Sequence, residues 1–233
     1  MKLALIGYGA MGQLVESRAL AAGNEVGVRL RSNNCPSTPR ALAEQLKGCD
    51  AAIDFSISDA VLRNVEGCAL AGVPLVEGTT GWKDGLPRAR EIVTEQNGTL
   101  VYGANFSVGV NVFYRIVSDA ARLFARLDQY QPFIEEQHHA RKRDAPSGTA
   151  LELQKLLAEF NDGNIPIAST RAGHIPGTHR VGFDSPADQI TLAHTARSRE
   201  GFAAGALLAA TWIVGRKGVY EFSEVMDQIL ETA

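Results

Sequence analysis

The segment Glu136-Gln-His138-His139-Ala-Arg-Lys142-Arg-Asp144-Ala-Pro146-Ser147-Gly148-Thr149 concentrates residue types that move protons. Imidazole and ammonium groups are common acids and bases of catalysis. Behind them, Ser147-Gly148-Thr149 runs into Ala-Leu-Glu-Leu-Gln-Lys-Leu-Leu, the pattern of a helix start. The first turn of a helix carries backbone N–H groups without intrahelical partners, so it receives anions well. Proton donors beside an anion cradle predict an enzyme that acts on a carboxylate or a phosphate. Arg141-Lys142-Arg143 could instead be a solvated basic loop, but the Ser-Gly-Thr turn behind it disfavours that reading. A His138-His139 metal pair lacks a third ligand at suitable spacing, with His174 and His179 isolated in the sequence, so no metal is expected. Adjacent residues of an extended segment point to opposite sides, so both histidines serve one site only if the chain bends there.

A second chemical pattern opens the chain. Gly7-Tyr8-Gly9-Ala10-Met11-Gly12 fits Gly-x-Gly-x-x-Gly, directly after an apolar run and before a helical one. Gly7 allows a tight turn, Gly9 lets a pyrophosphate approach the backbone, and Gly12 lets helix and strand pack closely. A dinucleotide site follows, with Gly7, Tyr8, Gly9, Ala10, Met11 and Gly12 as its floor. The chain then reads Val28-Arg29-Leu30-Arg31-Ser32, without the acidic residue that commonly holds a ribose 2′-hydroxyl in NAD sites. A guanidinium suits a 2′-phosphate, so Arg31, ahead of Arg29, favours NADPH, with NADH possible. Two later turns, Gly78-Thr79-Thr80 and Gly103-Ala104-Asn105-Phe106, follow strand-like runs and are expected at the same sheet edge. Small residues there let a nicotinamide ribose lie on backbone, and Asn105 could orient the carboxamide.

These residues need a frame. Leu3–Ile6, Glu25–Leu30, Ala51–Phe55, Val73–Val76 and Thr99–Tyr102 read as strands. Helical spacing fills Met11–Ala22, Pro39–Lys47, Ser58–Ala71 (with Ser58 as N-cap) and Leu86–Gln96. Strict alternation predicts βαβ units and a Rossmann-type doubly wound parallel sheet. After Asn105 the order breaks: helices at Val108–Arg126, Ser147–Phe160, Gly201–Gly215 and Phe222–Leu230, strands at Tyr130–Gln137, Val181–Phe183 and Gln189–Ala196. The fold class is therefore α/β, with a smaller α+β domain for substrate binding and oligomerisation. Residues 1–106 and 215–233 are assigned to the first domain and 107–214 to the second. His194, on an apolar alternating strand, reads as a core histidine, and Trp82 and Trp212 as packing residues.

Bulk properties exclude several classes. At 233 residues the chain can bury one large core or two modest ones. A net charge of −3 gives no nucleic-acid footprint. No apolar run reaches the roughly 20 residues of a membrane span, and no signal peptide is evident. Cys35, Cys49 and Cys68 form no Cys-x-x-Cys pair, which fits a reducing cytoplasm.

Taken in order, the glycine fingerprint, Gly78-Thr79-Thr80-Gly81, Asn105-Phe106-Ser107-x-Gly109-Val110-Asn111 and the His-His-Lys block closely resemble the dihydrodipicolinate (4-hydroxy-tetrahydrodipicolinate) reductases of lysine and diaminopimelate synthesis. The resemblance runs from residue 1 to about 222 and includes Gly173, His179, His194, Arg199 and Phe202-Ala203-x-Gly205-Ala206. The chain is shorter than many members around residues 31–50. The resemblance implies NAD(P)H-dependent reduction of a cyclic imine dicarboxylate by a homo-oligomer, a tetramer. It implies His138 as general acid, Lys142 as second donor or charge stabiliser, and His139, Gly148, Thr149 and Arg199 as carboxylate ligands, with Asp144 orienting the loop. It also implies hinges near Asn105–Val108 and Arg199–Phe202. The rivals are another two-domain dehydrogenase acting on a small amino or imino acid, and a non-catalytic dinucleotide sensor; neither requires the His-His-x-x-Lys block.

Overall fold

In the computed structural model, which describes residues 1–161 and 163–231, the short apolar runs of the first hundred residues become parallel strands. β1 (Lys2–Ile6), β2 (Glu25–Leu30), β3 (Ala51–Asp54), β4 (Leu75–Glu77) and β5 (Thr99–Tyr102) alternate with α1 (Ala10–Ala21), α2 (Pro39–Leu46), α3 (Val61–Ala71) and α4 (Leu86–Glu95). Local chemistry sets the boundaries. Thr38 caps α2 by accepting from the Ala41 N–H, with Pro39 at the first helical position. Gly72, at φ 68°, closes α3 in the left-handed conformation. Ser58 is no N-cap: Ser58–Ala60 forms a 3₁₀ turn, its side chain caps nothing, and α3 begins at Val61.

The remaining elements are α5 (Val108–Phe124), β6 (Gln131–His138), α6 (Gly148–Ala158), β7 (Ile167–Arg171), β8 (Thr178–Asp184), β9 (Gln189–Thr195), α7 (Glu200–Ile213), β10 (Gly218–Glu221) and α8 (Phe222–Glu231). Two strands are additions to the expected set. β7 has a largely exposed, polar sequence without clean alternation. β10 opens on glycine and lies parallel to β5 at the edge of the first sheet.

The chain divides into two compact units, Met1–Val108 with Glu200–Ala233, and Gly109–Arg199. The first holds a six-stranded sheet in the order β10-β5-β4-β3-β1-β2, parallel throughout. Strand order reverses at β1, which lies between β2 and β3, so the crevice beyond the carboxyl ends of β1 and β3 is the place for a ligand. Residues 200–214, assigned to the second domain from the sequence, fall in this first unit. α7 buries Ala203, Gly205, Ala206, Ala209 and Ala210, small residues that allow close approach. A Cβ at Gly205 would overlap the Phe106 carbonyl.

The second unit is a four-stranded mixed sheet, β7-β6-β8-β9. β6 is parallel to β7 and antiparallel to β8, and β8 is antiparallel to β9. Its core joins Phe113, Val117 and Ala121 of α5, Leu153 and Leu157 of α6, and Ile134, Val181 and Phe183 of the sheet. Among the described residues no helix is long and apolar enough to cross a membrane.

Candidate active site

The period of two along β6 puts Ile134, Glu136 and His138 on one face, the buried one. Ile134 belongs to the core, and two residues on the same row turns from apolar to ionic. Glu136 is fully buried, and burial alone pushes a carboxyl pKa up. Hydrogen bonds from Arg171, Ser169 and His138 outweigh that and hold it at about 2. The Arg171 guanidinium reaches one Glu136 oxygen at 2.6 Å and the Asp144 carbonyl at 2.6 Å. The other Glu136 oxygen bonds His138 Nδ1. A carboxylate only accepts, so Nδ1 carries a hydrogen and Nε2 is the nitrogen left for chemistry. A Cβ at Gly177 would lie 3.1 Å from that Nε2; glycine there (φ 144°) leaves the imidazole room.

His179 faces Glu136 across the antiparallel ladder and packs edge-on against His138, ring centroids 5.0 Å apart. Its Nε2 bonds Ser147 Oγ at 3.0 Å, and the same oxygen caps α6 by accepting from the Ala150 N–H. Burial, then the neighbouring His138, pulls the His179 pKa down to about 4. Burial also lowers that of His138, with Glu136 opposing and Lys142 and Arg171 adding to the fall. Both rings are therefore neutral at pH 7 without a ligand.

β6 ends at His138, and a turn follows in which the Lys142 N–H bonds the His139 carbonyl. This supplies the bend that adjacent histidines need. His139 is half-buried, and its Nδ1 has no hydrogen-bond partner among the described residues. Lys142 Nζ sits 2.8 Å from both Asp144 oxygens. Gly148 is exposed at the first position of α6, with open space where a Cβ would be. Thr149 follows, its hydroxyl bonded to Tyr114. His138, His139, Lys142, Gly148 and Thr149 thus share one corner of the second unit. Arg199 makes none of these bonds and is exposed in the turn before α7. Arg171, Glu136, Ser147 and Gly177 were passed over as site residues in the sequence.

The sequence judged His179 too isolated to join a metal set; the β6–β8 register corrects this. Glu136, His138 and His179 bring ligand-type atoms within 4.8 Å of one another. Both Glu136 oxygens are already bonded, and Arg171 and Lys142 add positive charge. A cation would have to displace those bonds.

In the first unit, the glycine turn lies at the switch point. Gly7 (φ 78°) has no room for a Cβ against the Phe55 carbonyl, and a Cβ at Gly12 would lie 2.8 Å from the Gly7 oxygen. Gly9 differs: a Cβ there meets nothing within 4 Å. No side chain caps α1 at Gly9, so the first-turn N–H groups open onto that space. This bare helix start beside Ala10 and Met11 fits a pyrophosphate. Arg29 is committed to Glu16, which also takes the Tyr8 hydroxyl. Arg31 instead lies exposed over the Tyr8 ring, 4.9 Å from its centroid.

The two later turns divide between support and surface. Thr79 is buried and accepts from the Ser56 N–H, whereas Thr80 is exposed. Gly78 is covered by the Phe55 ring, and Gly103 by Phe222 and Phe106. Ala104 is exposed. Asn105 accepts from the Ser107 N–H at 2.9 Å. Phe106 is a core residue, its ring 4.5 Å from that of Phe222, so it braces its turn from beneath.

Comparison with known proteins gives one answer along the whole chain. Residues 1–106 match the family model "Dihydrodipicolinate reductase, N-terminus", and residues 109–226 match "Dihydrodipicolinate reductase, C-terminus". The 4-hydroxy-tetrahydrodipicolinate reductase of Christiangramia forsetii is 35% identical, over 99% of this chain and all of that one. That of Anaeromyxobacter dehalogenans is 36% identical over 91% of this chain and 82% of its own. Among solved structures, the dipicolinate-bound dihydrodipicolinate reductase of Paenisporosarcina sp. TG-14 shares the fold. It has a TM-score of 0.81 at 22% identity and covers 97% of this chain and 99% of that one.

Proposed function

The chain belongs to the dihydrodipicolinate reductase family, and we propose that it reduces 4-hydroxy-tetrahydrodipicolinate to tetrahydrodipicolinate with NADPH in preference to NADH, His138 serving as the proton donor. It is an NAD(P)H-dependent oxidoreductase of lysine and diaminopimelate synthesis. The observation that carries the residue assignment is the buried Glu136–His138 pair beside Lys142 and the start of α6.

The 4-hydroxyl of the substrate leaves as water; the reduced nicotinamide, when bound, would supply a hydride to the ring, and one further proton completes the product, so that one hydride and one proton are consumed and one water is released. His138 is neutral in the unliganded site because burial disfavours its charge. A dicarboxylate beside it reverses that balance, since nearby negative charge favours the imidazolium. Substrate thus brings the charge that arms its own acid, and Glu136 holds the ring so that Nε2 delivers the proton. Lys142, paired with the exposed Asp144 in the unliganded site, would leave it to supply a compensating positive charge. The Gly148 and Thr149 N–H groups and His139 hold the carboxylates. Arg199 remains a proposed carboxylate ligand on its chemistry alone.

Gly7 to Gly12 hold the pyrophosphate, and Gly78–Thr80 and Gly103–Phe106 carry the nicotinamide end. NADPH is preferred because Arg31 is exposed at the end of β2 while Arg29 is spent on Glu16. The unit Met1–Val108 with Glu200–Ala233 is the dinucleotide-binding domain, and Gly109–Arg199 binds substrate. Assembly into a homo-oligomer, a tetramer, is proposed on the family resemblance; the sheet face opposite the one that packs on α5 and α6 carries Glu135, Arg180, Thr191 and Thr195. The pathway and three free cysteines support a cytoplasmic location.

The test is oxidation of NADPH and of NADH in parallel, with the substrate generated in place by dihydrodipicolinate synthase. Turnover that is faster with NADPH supports the reading. Absence of turnover in protein that binds NADPH turns it toward another imino-acid dehydrogenase.

A further inference from the structure

Two carboxyl groups lie wholly buried in the first unit, and no step above uses them. Asp54 ends β3, Glu77 ends β4, and the two are direct register partners on neighbouring parallel strands. Each is 0% exposed. Each also holds the turn that follows it. Asp54 Oδ1 accepts from the Ser56 N–H at 2.7 Å, and Glu77 Oε1 accepts from the Thr79 N–H at 2.7 Å. The turns are tied to each other, because the Ser56 N–H also reaches Thr79 Oγ1 at 3.1 Å. Asn64 of α3 locks the arrangement by donating to Asp54 Oδ2 at 2.6 Å and to Ser56 Oγ at 3.2 Å.

One oxygen stands outside this network. Glu77 Oε2 is buried and receives no hydrogen from any N–H or O–H donor among the described residues. The Asp54 and Glu77 side chains are within hydrogen-bonding reach of each other. Two adjacent buried carboxylates repel, and among the described residues neither has a cation to offset its desolvation. A single proton removes both problems: it neutralises one group and turns the orphan oxygen into a donor. Asp54 already accepts two hydrogen bonds at its oxygens, so it keeps the charge and Glu77 keeps the proton. Burial and the Asp54 charge push the Glu77 carboxyl well up, in agreement. The other ionisable neighbours are the thiols of Cys68 and Cys35, both pushed up by burial and so neutral, and Arg63, whose guanidinium bonds Asn64.

We propose that Glu77 is a positioning residue for the reduction: as a neutral acid it donates to Asp54, and this bond fixes the turns after β3 and β4 in the shape that receives the nicotinamide half of the cofactor. The inference rests on the cofactor reading of Gly78–Thr80 given above.

The test compares Glu77→Leu with Glu77→Gln. Leucine fills the space but cannot donate; glutamine restores a donor that cannot ionise. The Leu variant is expected to weaken NADPH about tenfold, in Kd by calorimetry and in KM, with substrate KM unchanged. The Gln variant is expected to return both to within about twofold of wild type. A purely structural role would lower the melting temperature of the Leu variant and leave NADPH affinity alone; that result overturns the proposal. If the Leu variant does not fold, infrared difference spectra of wild type against Glu77→Gln at pH 7 decide. A carbonyl stretch of a protonated carboxylic acid, lost in the variant, supports the proposal, and its absence overturns it. Wild-type protein that binds neither NADPH nor NADH would refute the cofactor reading instead.

Discussion

Glu136 and His138, two residues apart on β6, are joined through Nδ1 on the same buried face that carries the core residue Ile134. The carboxylate is anchored from behind by Arg171, so the imidazole is held by a group that cannot itself move freely. Replacing Glu136 with Gln removes the negative charge that opposes the effect of burial on His138. The imidazolium becomes harder to form, and loss of rate on the alkaline side shifts to lower pH. We expect kcat to fall about 10- to 100-fold at neutral pH, with part of the loss recovered in acid. The pH–rate profile of Glu136→Gln, with NADPH binding measured beside it, checks this. An unshifted profile with normal kcat would remove Glu136 from the mechanism.

Arg31 is the cofactor-discriminating residue on the present reading, stacked over Tyr8 and free of the Glu16 carboxylate that holds Arg29. Arg31→Ala should raise KM for NADPH about 10- to 100-fold, the worth of a charge-assisted contact. KM for NADH should stay within about twofold. Equal losses for both cofactors would place Arg31 against a part that NADH shares.

The parallel sheet was legible because its strands are buried on both faces and leave continuous apolar runs such as Leu3–Ile6 and Ala51–Ile53. The glycine turn was legible because Gly7 and Gly12 are required by sterics that hold for any such turn. β7 and β10 were not: β7 is an exposed, polar edge strand without alternation, and β10 is a half-buried edge strand of only 4 residues that opens on glycine, too short to show a period. Arg171 and His179 were hidden for a different reason. They reach Glu136 and His138 only through strand register, and sequence spacing carries no record of which residues face each other across a sheet. The placement of α7 was missed because a helix of alanines and glycine shows no polar face to say where it packs.

Acid is expected to destabilise the second unit as pH falls below 6.5. His179 is held at about 4, against an ordinary 6.5. Between those values the unfolded chain binds a proton that the folded site refuses, so stability is full above pH 6.5 and falls toward pH 4. The loss is about 3 kcal/mol over that window. Glu136, held at about 2 against 4.5, extends the same trend to lower pH, because its stabilisation exists above 4.5 and disappears as pH falls through 2. Urea midpoints at pH 7, 5.5 and 4 measure the slope. His179→Gln, which keeps an amide near Ser147, should flatten the upper part; an equal slope in that variant would assign the acid loss elsewhere.

Ser147 links the proposed catalytic corner to the helix start proposed to receive the anion. Its hydroxyl accepts from the Ala150 N–H at the start of α6 and bonds His179 Nε2, so one oxygen serves both structures. Ser147→Ala removes a helix cap and a buried hydrogen bond together, costing about 1–2 kcal/mol. The first turn of α6 then loses its fixed geometry, and Gly148 and Thr149 no longer present their N–H groups as one cradle. Affinity for dipicolinate, used as an unreactive dicarboxylate, should fall several-fold on the order of that energy. NADPH affinity should not change, because that site lies on other strands. Ser147→Thr keeps a hydroxyl at the cap and should recover most of both losses. Calorimetric titration of the three proteins with dipicolinate, alongside their thermal midpoints, separates the outcomes. If dipicolinate binds the Ala variant as tightly as wild type while the midpoint drops, α6 is a support for the fold and the carboxylates are held by His139 and the cationic side chains alone.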